Sequence, residues 1–123
     1  MITHRPDDGG VHVSASLEDA TLVVRLAGEL DAASAPDVQR RVELELDASR
    51  PDRLVLDVGG VGFVDSSGLA LLLALRGCTP GGTLVLRAAR RQLLRLLEIT
   101  GADAVLPVEG RADRPVPEGD QGD

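Results

Sequence analysis

Aromatic residues are almost absent from this sequence: Phe63 stands alone, and tyrosine and tryptophan do not occur. Domains that bind single-stranded nucleic acid stack the bases on aromatic side chains, so this class of function is disfavoured. Lysine is absent too, because all 13 basic residues are arginine, which excludes a lysine Schiff base and the lysine of a P-loop. The single cysteine, Cys78, excludes a disulfide framework within the chain and a metal site built from several cysteines.

The charge and the apolar runs exclude further partners. A formal net charge of −7 argues against a nucleic-acid backbone or an anionic membrane as the binding partner. The longest apolar run, residues 69–75, is too short to cross a membrane, since a spanning helix needs about 20 apolar residues. Residues 1–10 contain no apolar stretch of signal-peptide length, so we expect a cytoplasmic protein without a membrane partner.

The length of 123 residues is that of one domain, and 43% hydrophobic residues suffice for a core of leucine, valine and alanine. Residues 1–10 are expected to form a flexible lead-in. The segment 109–123 is rich in proline, glycine and charge, which predicts a disordered acidic tail. The folded domain is therefore expected over residues 11–108.

Hydrophobic patterning predicts strands and helices in the order β-β-α-β-α-β-α-β. The expected strands are 11–17, 21–26, 53–58, 83–87 and 105–108. The expected helices begin at a candidate cap Ser34, after residues 65–68, and at Ala89, while the glycines of 59–64 predict a tight loop. Strands that alternate with helices are joined by parallel crossovers. We therefore expect an α/β single domain with a mixed, mostly parallel sheet and an antiparallel N-terminal strand.

Two hydroxyls and a carboxylate precede the second predicted helix, in the tetrad Asp65-Ser66-Ser67-Gly68. In the structural interpretation, which spacing alone favours, Asp65 or Ser66 caps the helix and Gly68 allows close packing. In the functional interpretation, a serine here is a phosphorylation switch, because the N–H groups of the first helical turn stabilise a phosphate. Both interpretations stay open at this point.

Other candidate sites are weaker. A serine hydrolase is disfavoured, because His4 and His12 are the only histidines and the sequence around Ser66 is not G-x-S-x-G. The glycines after residue 58 do not have the spacing of a dinucleotide-binding loop, and no cofactor is expected. Four carboxylates could gather at one end of the sheet and bind a cation, although surface or capping roles are commoner for such residues: Glu29, Asp31, Asp57 and Asp65. Four arginines could form a basic stripe, although a solvent-exposed helix face also explains them: Arg87, Arg90, Arg91 and Arg95.

Three segments, in this order and spacing, resemble the STAS domain family. They are the sequence LAGELD at 26–31, the sequences LVLDV and VGFVDSSGL within 54–69, and the sequence GGTLVL at 81–86. The resemblance covers residues 11–108 and implies the STAS fold. Within the family, the motifs are most similar to those of the bacterial anti-sigma factor antagonists.

The resemblance implies a regulatory binding module and not an enzyme. Unphosphorylated members of this group bind an anti-sigma factor that is also a serine kinase, and so release a sigma factor; phosphorylation ends the binding, and a phosphatase reverses it. Carried onto this sequence, Ser66 is the phosphoacceptor, in a monomer or weak dimer without a nucleic-acid partner. The partner-binding residues that the resemblance implies are Asp31, Asp65, Ser67, Gly68, Leu69 and Ala70.

Two alternatives belong to other classes of function. A constitutive STAS scaffold subunit, in a stress-signalling or transporter-associated assembly, is suggested by the apolar run 69–75. A small enzyme or nucleotide-binding domain would use the glycines of 59–62 and the nearby carboxylates.

Overall fold

The structure is a computed structural model that describes residues 11–111, so the predicted lead-in, 1–10, lies outside the described residues. Its elements follow the predicted order, with short 3-10 turns at Pro80–Gly82 and Ala102–Ala104. The strands are β1 (Val11–Glu18), β2 (Thr21–Leu30), β3 (Arg53–Val64), β4 (Leu84–Ala89) and β5 (Val108–Arg111). The helices are α1 (Ala35–Ser49), α2 (Ser66–Cys78) and α3 (Arg91–Thr100).

The five strands form one mixed sheet in the order β1-β2-β3-β4-β5. β1 pairs antiparallel with β2, and the other neighbouring strands pair parallel, which confirms the predicted fold class. Each helix joins one parallel strand to the next in the same direction along the sheet. Because such crossovers are right-handed, all three helices lie on one face.

The hydrophobic core lies between this face and the helices. Alternate residues of each strand point into it, as the twofold period of a strand requires. The helices contribute one buried stripe each, and the only aromatic side chain, Phe63, is 46% exposed and takes no part. The members from β2, β3 and the helices include Leu22, Val24, Leu26, Leu54, Leu56, Val38, Val42, Leu46, Leu71, Leu72, Leu75, Leu93 and Leu97.

The opposite face of the sheet carries a row of alternating charges. Arg25, Asp57, Arg87 and Glu109 are successive register partners across β2, β3, β4 and β5. The Nε of Arg25 lies 3.9 Å from Oδ2 of Asp57, and the Nε of Arg87 lies 3.4 Å from Oε2 of Glu109. Opposite charges on neighbouring strands attract each other and remain hydrated, which suits a face that none of the three helices covers.

The predicted glycine-rich loop at 59–64 is wrong, because β3 continues through this segment to Val64. β2 pairs with β3 as far as Leu30 and Val64, and this pairing imposes an extended backbone on the glycines. A Cβ at Gly60 would come within 2.7 Å of the Cβ of Ala27. Close contact between strands therefore explains this glycine, and a turn does not.

The predicted position of the last strand, 105–108, is also wrong. Val105 follows a 3-10 turn, and β5 begins at Val108 and ends at Arg111. β5 pairs with β4, with Glu109 opposite Arg87, so tertiary pairing overrides the unfavourable composition of this segment. The fold thus extends into the segment predicted as a disordered tail, whose remainder, 112–123, lies outside the described residues.

The third helix begins at Arg91 and not at Ala89, because Ala89 still belongs to β4 and is the register partner of Arg111. Within residues 11–111, no helix combines the length and the hydropathy that crossing a membrane requires.

Two adjacent leucines of α2 have opposite environments and test the packing. Leu72 is fully buried, whereas Leu73 is 39% exposed. Leu72→Ala should lower the free energy of unfolding by about 2–5 kcal/mol, because it leaves a cavity in the core. Leu73→Ala should change it by only about 0.5 kcal/mol. Urea denaturation measures both variants, and equal losses would contradict the described orientation of α2.

Candidate functional site

Two loops meet at the edge where the parallel strands β2 and β3 end. Leu30 and Val64 are register partners at these ends, and Asp31 and Asp65 follow them directly. The Asp65 N–H donates a hydrogen bond of 3.1 Å to the Leu30 carbonyl oxygen, which joins the two loops. Sites in open α/β sheets usually form at the carboxyl ends of the strands, so this edge is the candidate site.

Asp31 organises the loop between β2 and α1. Its Oδ1 accepts hydrogen bonds from the N–H groups of Ala33 and Ser34, each 3.1 Å long. The Ser34 hydroxyl accepts from the Asp31 N–H at 3.1 Å and donates to the Glu29 carbonyl oxygen at 2.8 Å. The prediction that the Ser34 side chain caps α1 is therefore wrong, because this buried hydroxyl is bonded back to the end of β2.

Asp65 is the N-cap of α2. Its Oδ1 accepts a hydrogen bond of 3.0 Å from the Gly68 N–H, which confirms the structural interpretation for this residue. Ser66 is the first residue of the helix and is exposed, while Ser67 is half-buried. Because Asp65 supplies the cap, the Ser66 hydroxyl has no capping role and remains at the surface, beside the positive end of the helix dipole.

Gly68 lets the first turn of α2 approach the sheet closely. A Cβ at this position would collide with the Leu30 carbonyl oxygen and would lie 2.8 Å from the Leu30 Cβ and 2.9 Å from Cγ1 of Val64. Two of these three atoms belong to Leu30, at the end of β2. The start of α2, and with it Ser66, is therefore positioned by direct contact with the ends of β2 and β3.

An exposed strip continues from Ser66 along α2. Ala70 and Leu73 follow at intervals of four and three residues, so they lie on the same side of the helix as Ser66. Both are exposed, and Leu73 is a large hydrophobic residue at 39% exposure. We call Ser66, Ala70 and Leu73 the α2 stripe.

The structure brings the predicted site residues together at this edge, in three environments. Ser66 and Ala70 are exposed, and three other residues are half-buried beside them: Asp31, Asp65 and Ser67. Gly68 and Leu69 are buried, and Leu69 packs in the core at 8% exposure. These two residues therefore support the surface from beneath and are not exposed to a partner.

Sequence interpretation missed three residues of this region. The spacing from Ser66 carried the signal for Leu73, whereas nothing indicated that Phe63 is exposed. Nor did any pattern indicate Gln92 of α3, whose Oε1 accepts from the Val64 N–H at 2.9 Å and whose Nε2 donates to the Val64 carbonyl oxygen at 2.8 Å. Twenty-eight residues separate the two partners, so this contact exists only in the folded chain.

The other polar candidates serve the sheet. Asp57 accepts a hydrogen bond of 3.0 Å from the Gly59 N–H, and the Nε of Arg90 donates one of 2.9 Å to the Gly59 carbonyl oxygen. Arg87, also of the predicted basic stripe, pairs with Glu109. Across residues 11–111, no three side chains of histidine, cysteine, aspartate or glutamate are grouped so that they could hold a metal ion, so the suggested cation cluster does not form.

Cys78 lies at the end of α2, where its thiol contacts the Oε2 of Glu43 at 3.6 Å. Desolvation by burial, the hydrogen bond to Glu43 and the negative charges of Glu43 and Asp47 raise the pKa of the Cys78 thiol. A thiol with a raised pKa stays protonated at neutral pH and is a weak nucleophile. Cys78 is therefore not an activated nucleophile, although it is exposed.

Comparison with known families gives a match over almost the whole described structure. The sequence pattern of a family described as "Mlab, STAS domain" matches residues 13–107. The matched region contains all three helices, the whole of β2, β3 and β4, most of β1, and every residue of the candidate site.

Individual proteins are similar at low identity. An anti-sigma F factor antagonist of Paenibacillus polymyxa is 28% identical over 89 residues, which make up 71% of this chain and 76% of that protein. The crystal structure of an anti-sigma factor antagonist from Mycobacterium paratuberculosis has a TM-score of 0.72 at 26% identity, over 80% of this chain and 84% of its own. Unphosphorylated SpoIIAA, an anti-sigma factor antagonist, has a TM-score of 0.67 at 18% identity, over 79% of this chain and 87% of its own, and shows the fold alone.

Two glycines of α2 provide a matched test of the contact with the sheet. Gly68→Ala should lower the free energy of unfolding by about 1–3 kcal/mol, because the added methyl group meets Leu30 and Val64. Gly77→Ala should instead raise it by up to about 1 kcal/mol, since a Cβ there meets nothing within 4 Å and alanine favours helix. Urea denaturation distinguishes the two; a stable Gly68→Ala variant would refute the close approach.

Proposed function

Because this chain belongs to the STAS domain family, we propose that it is an anti-sigma factor antagonist switched by phosphorylation of Ser66. In its unphosphorylated form it binds an anti-sigma factor that is also a serine kinase, and a sigma factor is released. The observation that carries the proposal is the exposure of Ser66 at the start of α2, where Asp65 already provides the cap.

The fold can accept a phosphate on Ser66. The first turn of an α-helix has backbone N–H groups without partners inside the helix, and its dipole favours negative charge. A phosphate at this position is therefore stabilised locally and does not require the domain to unfold. Since Asp65 holds the Gly68 N–H, modification of the neighbouring hydroxyl leaves the cap in place.

The same phosphate would prevent a partner from covering the α2 stripe. Ala70 and Leu73 offer an apolar contact surface next to Ser66. A phosphoserine adds about −1.5 to −2 charges, and a partner that covers it must remove water from this charge. The half-buried carboxylates of Asp31 and Asp65 add like charge close by. Binding is lost while the fold is kept.

In the proposed reaction, the Oγ of Ser66 attacks the γ-phosphorus of ATP in the active site of the kinase. The bond between Oγ and phosphorus forms, and the bond between the γ-phosphorus and the bridging oxygen of ADP breaks. The hydroxyl proton passes to a base of the kinase. A phosphatase later returns the free hydroxyl by transfer of the phosphoryl group to water.

In this proposal the chain is a binding module and not an enzyme, and it acts in the cytoplasm as a monomer or weak dimer. His12, the only histidine within residues 11–111, pairs with Ala27 in the sheet on the face away from the helices. That face is opposite the one on which α2 packs, so His12 is not placed to activate Ser66 as the catalytic nucleophile of a hydrolase, which supports a role for Ser66 as the substrate of a kinase.

The relatives support this proposal. The Paenibacillus polymyxa protein is an antagonist of an anti-sigma F factor, and SpoIIAA of Bacillus has been solved in unphosphorylated and phosphorylated forms. Both are similar to this chain over three quarters or so of its length, which includes the Ser66 region.

Substitution of Ser66 tests the switch directly. Incubation with ATP and each purified anti-sigma factor kinase of the same organism should phosphorylate the wild type and Ser67→Ala, and should leave Ser66→Ala unmodified. Ser66→Glu should bind the kinase at least about tenfold more weakly than the wild type, because a carboxylate must be desolvated under the partner. Mass spectrometry maps the phosphate, and calorimetry measures the Kd.

The control is Ala20→Glu, which adds the same charge in the exposed turn at the opposite edge of the sheet and should bind like the wild type. Phosphate on Ser67 alone would contradict the assignment of the acceptor. Tight binding by Ser66→Glu, together with a large homo-assembly in light scattering, would favour the constitutive scaffold, for which the exposed Leu73 is the supporting observation.

A pair of exposed leucines tests whether the α2 stripe is the contact surface. Leu73→Ser should weaken binding of the kinase about tenfold, because an apolar contact is lost at the interface. Leu44→Ser on α1, where the leucine is 58% exposed, should leave the Kd within about twofold. Calorimetric titration gives both values, and equal losses in the two variants would place the interface elsewhere.

A further inference from the structure

The second half of β3 lacks a strand neighbour on the β4 side. The β3–β4 register ends at the pair Asp57 and Arg87, whereas β3 continues to Val64. β4 turns away at Ala88, whose φ of 62° lies in the left-handed region, and ends at Ala89. The backbone that leads into Asp65 and Ser66 therefore pairs with β2 alone.

Side chains from the start of α3 take the place of the missing strand. The Nε of Arg90 donates to the Gly59 carbonyl oxygen at 2.9 Å. Gln92 does more, because its amide accepts from the Val64 N–H at 2.9 Å and donates to the Val64 carbonyl oxygen at 2.8 Å. A primary amide offers the same donor and acceptor as a peptide group, so Gln92 bonds Val64 as a neighbouring strand would.

These bonds hold the peptide that precedes the acceptor serine from both sides. On one side, Gln92 takes the N–H and the carbonyl group of Val64; on the other, the Asp65 N–H donates to the Leu30 carbonyl oxygen at 3.1 Å. Val64 itself is 1% exposed, so its N–H and carbonyl group rely on Gln92 and not on water for these hydrogen bonds. Ser66 follows two residues later.

We propose that Gln92 is a positioning residue for phosphorylation of Ser66: its amide fixes Val64 and Asp65, and through them the direction of the Ser66 hydroxyl. This rests on the proposed function. Gln92 does not belong to the α2 stripe, so its loss should lower the kcat of the kinase for this substrate and leave the KM nearly unchanged. Transfer of the phosphoryl group depends on the alignment of the attacking oxygen, whereas docking depends on the stripe.

The test compares Gln92→Met, which keeps the length of the side chain and removes both hydrogen bonds, with Gln39→Met. Gln39 is also a half-buried glutamine, and the hydrogen bond of its amide within the described structure goes to Glu43 on the same helix, α1. Hydrogen exchange of the Val64 amide in the free protein reports the contact without a kinase. Steady-state phosphorylation by the cognate anti-sigma factor kinase gives kcat and KM separately, and urea denaturation shows whether each variant is folded.

In Gln92→Met we expect much faster exchange of the Val64 amide and a kcat about tenfold lower at a similar KM, while Gln39→Met matches the wild type in both. Gln92→Glu keeps the acceptor and loses the donor, so it should retain protection of the Val64 amide and have an intermediate kcat. It also replaces Gln92→Met if that variant does not fold.

Unchanged exchange in Gln92→Met would overturn the contact itself. Faster exchange with an unchanged kcat would show that Gln92 only stabilises the fold, and would overturn the positioning role. Absence of phosphate on Ser66 in the wild type would instead refute the proposed function and the positioning role with it, while the exchange measurement would still report on the contact.

Discussion

The approach of α2 to the end of β2, which a glycine at position 68 makes possible, is the contact on which the site depends. It places the first helical turn against Leu30 and Val64, so that the position of the helix start is fixed relative to the ends of β2 and β3. A side chain at position 68 would move the helix away from the sheet, and Ser66 with it. The exposed Ser66 therefore belongs to a helical turn that packs directly on the sheet, and not to a loop without such contacts.

Backbone hydrogen bonding explains why so many polar residues gather at this edge. Strands and helices end here, and each end leaves N–H or carbonyl groups that need partners. Asp31, Asp65 and Gln92 supply these partners, each from a side chain bonded to backbone groups. With these partners supplied, the Ser66 hydroxyl has no capping role and lies exposed at the start of α2.

The two faces of the sheet have different roles. Helices cover one face and place the helix starts at the carboxyl edge, where the site forms. The other face carries the alternating charges of Arg25, Asp57, Arg87 and Glu109, which satisfy one another across the strands. A phosphate on Ser66 would therefore add charge at the carboxyl edge of the sheet, away from the ion pairs of the opposite face.

Local sequence patterns were sufficient to predict the fold class and the order of the strands and helices. Apolar spacing determined the order of the elements, and the tetrad at 65–68 indicated the helix cap, because caps and periodicity depend on neighbours along the chain. The tertiary structure decided the rest. It extended β3 through its glycines, moved the last strand to Val108–Arg111, bonded Ser34 back to β2 and brought Gln92 to Val64. Each of these depends on partners distant in sequence, and no local pattern records such a partner.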